Sequence, residues 1–275
     1  MKLTEDALIA RIGATTKTRG LVLGIGDDCA IFRPRANEDL VFTTDLFIED
    51  VHFRRRDLEP VALGRRAMAR SLSDIAAMGA TPRFCLVSLA LPPWADEKWF
   101  NAFYRGLKTA GLPIAGGDLS HAPQLVCDVM ICGSVAHGKA LRRDGARPGD
   151  AIYVSGPLGG WTHRREITPR LDIGRKLIGK ATACMDLSDG LSTDLHRLTK
   201  ASGVGATLDR GLPVLEGATL EQALHDGEDY ELLFTAPPRV RVPGDRIGTI
   251  VKDRPGRVTF VGFPLKPHGY DHFQR

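Results

Sequence analysis

Residues 185–195, MDLSDGLSTDL, bring together three aspartates and two serines: Asp186, Asp189 and Asp194, with Ser188 and Ser192. Acids at such density either complement the unpaired N–H groups of a helix start or hold a metal ion. Four further acid-bearing stretches decide between these. Asp27 and Asp28 follow GIG, Asp45 closes LVFTTD, Asp74 sits inside SLSDIAAMGA, and Asp118 follows two glycines. Taken singly, Asp28 reads as a turn residue, Asp45 as a strand end, and Asp186 and Asp189 as helix-dipole partners worth under about 1 kcal/mol each. Asp74 resists that reading. It lies beside a stripe of Met68, Leu72, Ile75 and Gly79, where a carboxylate costs desolvation unless a cation or donor compensates.

Together the acids imply more than capping. Like charges within about 4 Å repel by roughly 4 kcal/mol per pair at an effective dielectric of 20, so a fold that gathers several must supply cations. Hard oxygen donors without His or Cys partners favour Mg²⁺ or Mn²⁺ over zinc. The usual reason to hold several divalent ions is to set a polyphosphate beside an anionic acceptor.

Two nucleotide-loop patterns fail on inspection. GRKLIGKAT, 174–182, imitates a phosphate-binding P-loop, but Ala181 stands where the metal needs Ser or Thr, and the segment reads as helix rather than a strand-to-helix turn. The GxG at Gly24–Gly26 lacks a third glycine and runs into two acids that would repel a pyrophosphate. A dinucleotide site is not expected.

The elements that must position the acids alternate in type. A short helix is expected over 4–12, and strands over LVLGIGDDCAIF, broken by its glycines, and over 40–45, ending on Asp45. A helix over 61–79 carries Asp74 at the edge of its buried face. FCLVSLALP reads as a buried strand, DEKWFNAFYRGLKTAG as a helix closed by Gly111, LPIAGGD as a short strand running into its glycines, and LVCDVMICGSVAHG as a sheet strand. The polar stretch ALRRDGARPGD then reads as a linker, which places one domain over 1–138 and a second over 139–275. The second holds AIYV, a helix over 169–180, the helix opened by MDLSDGL with Leu191, Leu195 and Leu198 inward, and strands YELLFT, RIGTIV and RVTFVGF. In that helix Ser188 is the expected cap and Asp194 the expected surface acid. An α/β or α+β class follows.

Composition narrows the class. At 275 residues the chain suits two domains, and with 43% apolar and 25% charged residues it is neither disordered nor an extended coiled coil. A formal charge of +4 with scattered Lys and Arg argues against a nucleic-acid partner. The five cysteines form no CxxC pair and read as buried thiols, and no apolar run reaches a membrane span, so a cytoplasmic protein without a membrane partner is expected.

GIGDDCAIF, TTDLFIEDVHF, ARSLSDIAAMGATP, GGD, ALRRDGARPGD, MDLSDGLSTDL and GEDYELLFT, in that order, resemble thiamine-monophosphate kinase, within the ATP-binding superfamily that includes aminoimidazole ribonucleotide synthetase. The resemblance covers nearly the whole chain. It implies the two-domain aminoimidazole ribonucleotide synthetase-like α/β fold, with an N-terminal sheet domain that dimerises and a C-terminal α/β domain. It also implies in-line transfer of the γ-phosphoryl of ATP to thiamine monophosphate with Mg²⁺. By that resemblance Asp28, Thr43, Thr44, Asp45, Asp74, Asp118, Asp186 and Asp189 match magnesium ligands. Tyr104, Gly117, Asp118, Arg143 and Ser188 match nucleotide contacts, and His52 and Glu228 match contacts to thiamine phosphate. Asp28, Asp45, Asp74, Asp118 and Asp189 are the acids on which catalysis would depend.

Two departures are visible. The segment between GPLGG and MDLSDG is shorter than the family commonly has, and Pro267 stands where an aromatic is often found against the thiamine. The alternatives are another ATP-dependent kinase or synthetase of the superfamily, or a nucleotide-binding relative without turnover. Selenophosphate synthetase would need a lysine near the N-terminus, and none lies between Lys17 and Lys98; hydrogenase-maturation relatives end in a reactive cysteine, whereas this chain ends HGYDHFQR.

Overall fold

The computed structural model describes residues 21–23, 25, 31–162 and 166–270. The helix expected over 4–12 and the acids Asp27 and Asp28 lie outside them. The chain divides into two compact units, one of residues up to Ile75 with Thr81–Ala136, the other of Ala76–Ala80 with His137–Arg275.

The first unit opens with a two-stranded ribbon, β1 (Leu21–Leu23) and β2 (Ile31–Phe32). It then builds a four-stranded sheet from β3 (Glu38–Ile48), β4 (Thr81–Leu91), β5 (Ile114–His121) and β6 (Val126–Ala136), in the order β3-β6-β4-β5. The β3–β6 and β4–β6 pairs are antiparallel and β4–β5 is parallel. Helices α1 (Pro60–Ala77) and α2 (Glu97–Leu107) cross where two glycines let the backbones meet. A Cβ on Gly64 would stand 2.0 Å from the Phe103 carbonyl oxygen, and one on Gly106 would stand 2.1 Å from that of Val61. Within the described part of this unit, α1 lies on the inner sheet face, where the Ser71 hydroxyl donates to the Val129 carbonyl at 2.8 Å. Asp96 caps α2 by accepting the Trp99 N–H at 2.7 Å.

Two strands run further than their sequence pattern indicates. Asp45 does not end β3, which continues through Phe47 to Ile48, and Gly116 and Gly117 lie inside β5. Gly117 is required there. Its φ is 150°, and a Cβ would fall 1.8 Å from the Val87 carbonyl oxygen of the parallel neighbour.

The second unit holds a seven-stranded sheet of β7 (Ala151–Val154), β8 (Ala183–Asp186), β9 (Gly205–Leu208), β10 (Leu232–Ala236), β11 (Asp245–Val251), β12 (Val258–Phe260) and β13 (Phe263–Pro264). Its order is β13-β12-β9-β11-β7-β10-β8, and only the β12–β9 pair is parallel. Three helices accompany it: α3 (Leu171–Leu177), α4 (Leu191–Ser202) and α5 (Leu220–His225). Leu191, Leu195 and Leu198 of α4 are fully buried with Ile152, Val154 and Leu233 of the sheet. Strand β9 and helix α5 carry no sequence expectation. GATL is too short to show alternation, and α5 is a six-residue helix held by a capping box between Thr219 and Gln222. The P-loop imitation falls in α3 and the turn after it.

Candidate functional site

In the first unit the alternation of β3 sorts the expected ligands onto two faces. Thr43, Asp45 and Phe47 face inward, and Phe42, Thr44 and Leu46 face outward, as their burial shows. On the inner face the Thr43 hydroxyl donates to Asp74 of α1, and the Arg70 guanidinium stands 3.9 Å from the Asp45 carboxylate while also lying over the Phe47 ring at 5.6 Å. Burial drives the Asp45 carboxyl up from 3.8 to about 6. Arg70 opposes the rise, Asp74 and Asp128 add to it, and a hydrogen bond from Ser71 resists it. Burial with two further acids nearby outweighs Arg70, so a second cation on this face would be stabilised.

The outer face carries a different row. Leu46, Asp128, Ser88 and Asp118 are register partners across β3, β6, β4 and β5, so their side chains share that face, and the Thr44 hydroxyl donates to Asp128 at 2.5 Å. Thr44 and Asp118 therefore present their side chains on the face opposite to Thr43 and Asp45. Asp128 was not singled out from the sequence. Its signal is a carboxylate between two buried positions, Cys127 and Val129, of a strand whose only other polar side chain is Ser134.

In the second unit Asp186 ends β8, and the chain turns through Leu187–Gly190 before α4. The cap of α4 is Gly190, with φ 101° and no side-chain hydrogen bond, so Ser188 does not cap this helix as its position suggests. Asp194 instead ties the preceding loop to the helix. Its Oδ2 accepts the N–H groups of Ser188 at 3.1 Å and Asp189 at 3.0 Å. Asp194 is fully buried rather than on the surface, because its carboxylate is turned back into the loop instead of out from the helix. Burial pushes its carboxyl up to about 6, against the pull of the Asp189 N–H and Arg197 and with the Asp189 charge adding to the rise.

A second loop locks onto this one. The N–H groups of Glu228 and Tyr230 donate to the carbonyls of Ser188 and Leu187, both at 2.7 Å, and both residues adopt positive φ, 70° and 51°. A Cβ on Gly227 would meet the Ser188 carbonyl oxygen at 2.6 Å, so glycine is needed for that approach. Between them Asp229 accepts the N–H groups of Gly159 and Gly160 at 3.0 Å each, which ties GPLGG to the same place. Asp186, Ser188, Asp189 and Glu228 are thus brought together by backbone pairing. The reason lies in long-range register, which no local pattern shows.

The remaining expected residues sit as follows. His52 is half-buried, its Nδ1 accepting the Ile48 N–H at 3.0 Å, which leaves the proton of the neutral ring on Nε2. Tyr104 is buried in α2, stacked on Phe100 with centroids 6.0 Å apart and with the Lys108 ammonium over its ring. Arg143 is exposed in the loop before β7, and its backbone is anchored through the Ser202 hydroxyl to its carbonyl at 2.9 Å. Asp28 lies outside the described residues.

These positions acquire a context from known proteins. Residues 26–135 match the family of AIR synthase related protein, N-terminal domain. The thiamine-monophosphate kinase of Salmonella typhimurium is 36% identical over 326 residues, spanning 99% of this chain and 99% of that protein. The chain belongs to the thiamine-monophosphate kinase family. Among solved structures, the thiamine-monophosphate kinase from Stenotrophomonas maltophilia K279a superposes with a TM-score of 0.82 at 36% identity, covering 96% of this chain and 98% of that one. The AaThiL complex with AMPPCP and TMP superposes with a TM-score of 0.81 at 31% identity, covering 99% of each chain. As an alignment of 326 positions holds only 275 residues of this kinase family member, about fifty positions of the Salmonella enzyme have no counterpart here.

The donor chemistry of the first unit fits magnesium. Among the described residues no three His, Cys, Asp or Glu side chains stand together as a ready-made metal cage. Magnesium does not ask for one, since it keeps several waters and takes one or two carboxylates alongside substrate phosphates. Asp45, Asp74 and Thr43 are such a partial set: three oxygen donors on one face, with the Asp45 carboxyl raised by burial and, to a lesser extent, by Asp74. No helix among the described residues is long and apolar enough to cross a membrane.

Proposed function

We propose that this chain transfers the γ-phosphoryl group of ATP to thiamine monophosphate, giving thiamine diphosphate and ADP by direct in-line attack. The observation that carries the reading is the pair of acids Asp45 and Asp74 on one buried face, where burial first and Asp74 after it raise the Asp45 carboxyl to about 6, in a chain that matches thiamine-monophosphate kinases over 99% of its length.

Little covalent chemistry is asked of the protein, because the acceptor phosphate oxygen is already anionic at neutral pH and needs no general base. Magnesium, when bound, neutralises the phosphates and the charge that builds on them in transfer. Within the first unit Thr43, Asp45 and Asp74, with Asp28, would supply oxygen ligands to magnesium, and Asp186 and Asp189 would do so from their own loop in the second; Thr44 and Asp118 lie on the outer face of the sheet and are not part of the inner-face set. Arg143, exposed and planar, pairs with phosphate oxygens, and Tyr104, Gly117 and Ser188 contact the nucleotide. His52 and Glu228 hold thiamine phosphate, His52 as a neutral Nε2–H donor and Glu228 from a backbone bend pinned to Ser188.

The active species is a homodimer joined through the outer face of the β3–β6 sheet, where Phe42 and Leu46 are 63% and 53% exposed beside Met130 and Leu86. It acts in the cytoplasm, where ATP and thiamine monophosphate are available. Incubation of the purified protein with ATP, Mg²⁺ and thiamine monophosphate, followed by mass spectrometry, tests the reading. Thiamine diphosphate with equimolar ADP is expected; ADP without thiamine diphosphate means another acceptor, and no ADP means a nucleotide-binding relative without turnover.

A further inference from the structure

The turn that carries Asp189 is held from three sides. From the helix, the fully buried Asp194 carboxylate accepts the N–H groups of Ser188 and Asp189 and pairs with Arg197 Nη1 at 2.9 Å. From solvent, the same Nη1 donates to Asp189 Oδ2. From the C-terminal segment, Tyr270 N–H donates to the Asp189 carbonyl at 3.1 Å. Gly269 N–H donates to the Thr193 hydroxyl at 2.9 Å, and a Cβ on Gly269 would strike the Asp189 carbonyl oxygen at 1.8 Å.

Capping alone does not account for this arrangement. The N–H groups that Asp194 binds belong to Ser188 and Asp189, which precede the cap residue Gly190, and a carboxylate at zero exposure costs several kcal/mol unless its partners are in place. The buried charge has a specific consequence. It orients the two peptide N–H groups at Ser188 and Asp189 and brings a guanidinium to the Asp189 carboxylate, while the Asp194–Arg197 pair adds no net charge near a cation. Such outer contacts orient carboxylates that bind metals.

We propose that Asp194 and Arg197 are positioning residues for the phosphoryl transfer, fixing the backbone and carboxylate of Asp189 in one orientation before a divalent cation arrives. The inference rests on the assignment of Asp189 as a magnesium ligand, and its test separates the two. The full-length protein is compared with the Asp194→Ala/Arg197→Met double variant, which leaves net charge unchanged, with Arg197→Lys, and with Asp189→Asn. Mn²⁺ affinity is read by electron paramagnetic resonance in the presence of a non-hydrolysable ATP analogue, beside kcat, the KM for Mg²⁺ and the melting temperature.

The double variant is expected to weaken Mn²⁺ binding and raise the KM for Mg²⁺ by about 10-fold, with a smaller change in kcat at saturating metal. Arg197→Lys, which keeps the charge but loses the planar fork, is expected to weaken both by about 3-fold, and it decides the matter where the double variant does not fold. In an Asp189→Asn background neither change should weaken Mn²⁺ binding further, since both act through that carboxylate. A folded double variant, or an Arg197→Lys variant, with wild-type Mn²⁺ affinity overturns the positioning role while Asp189→Asn still weakens the metal. Wild-type Mn²⁺ affinity in Asp189→Asn overturns the ligand assignment itself and the proposal with it.

Discussion

Replacing Asp45 by Asn should stabilise the metal-free protein while abolishing its activity. The side chain is 27% exposed, and its carboxyl is raised from 3.8 to about 6 by burial and by Asp74 and Asp128, with Arg70 already counted against the rise. A difference of that size corresponds to roughly 3 kcal/mol of cost for carrying the ionised form in the folded state. The sign follows from proton uptake. Between pH 3.8 and 6 the folded protein binds the Asp45 proton more tightly than the unfolded chain, so stability falls as pH rises through that window, and the full cost is present above it.

Asn resembles the protonated acid and escapes the cost. Allowing for solvent at the partly open side chain, the gain is about 1–3 kcal/mol, or a melting temperature higher by roughly 3–10 °C. Thermal unfolding at pH 7.5 in excess chelator reads it, and the same scan at pH 4 should show the advantage nearly gone. Added Mg²⁺ with an ATP analogue should raise the melting temperature of the wild type and not of the variant. A variant less stable than wild type at pH 7.5 without metal, or one with normal turnover, refutes the idea that this acid is held at a cost for the sake of a cation.

Further substitutions test the scaffold around the site. Gly117→Ala forces a Cβ to within 1.8 Å of the Val87 carbonyl oxygen and should cost at least about 3 kcal/mol in a denaturant titration, whereas Gly111→Ala, with open space around it, should cost only about 1 kcal/mol. Glu231 is fully buried, with Arg170 Nε at 2.7 Å and the Ser155 hydroxyl at 2.5 Å. Glu231→Gln should therefore destabilise by about 2–4 kcal/mol, and adding Arg170→Met should recover much of that loss in a double-mutant cycle. If the chain is the proposed homodimer, Phe42→Asp with Leu46→Asp should convert it to a monomer by light scattering without lowering the α-helical circular dichroism signal; an unchanged mass removes the outer face of the sheet as the interface.

The elements that carry strong periodicity were readable in advance. The stripe through Met68, Leu72 and Ile75 marks α1 within two residues of its observed ends, and Leu191, Leu195 and Leu198 mark the buried side of α4. What could not be read depends on partners distant in sequence. Asp45 looks like a strand end because it is charged, but β3 continues since its pairing with β6 runs on to Val126. The glycines before Asp118 look like a turn, yet they lie within a parallel pair in which Gly117 has no room for a side chain. Asp194 looks like surface because the helical pattern places it beside polar neighbours, and only the path of the preceding loop shows that its carboxylate points inward. Asp128 went unnoticed because a lone acid in a strand has no meaning until Thr44 and Ser88 are set beside it.

The claim at the centre of this account is direct transfer of one phosphoryl group between ATP and thiamine monophosphate. A single-turnover reaction with γ-³²P-labelled ATP, excess protein, Mg²⁺ and thiamine monophosphate tests it most directly. The label should pass to thiamine diphosphate as unlabelled ADP forms at the same rate, and Asp74→Asn should stop both. Label appearing as inorganic phosphate or pyrophosphate, or full transfer by the Asp74→Asn variant, would contradict it.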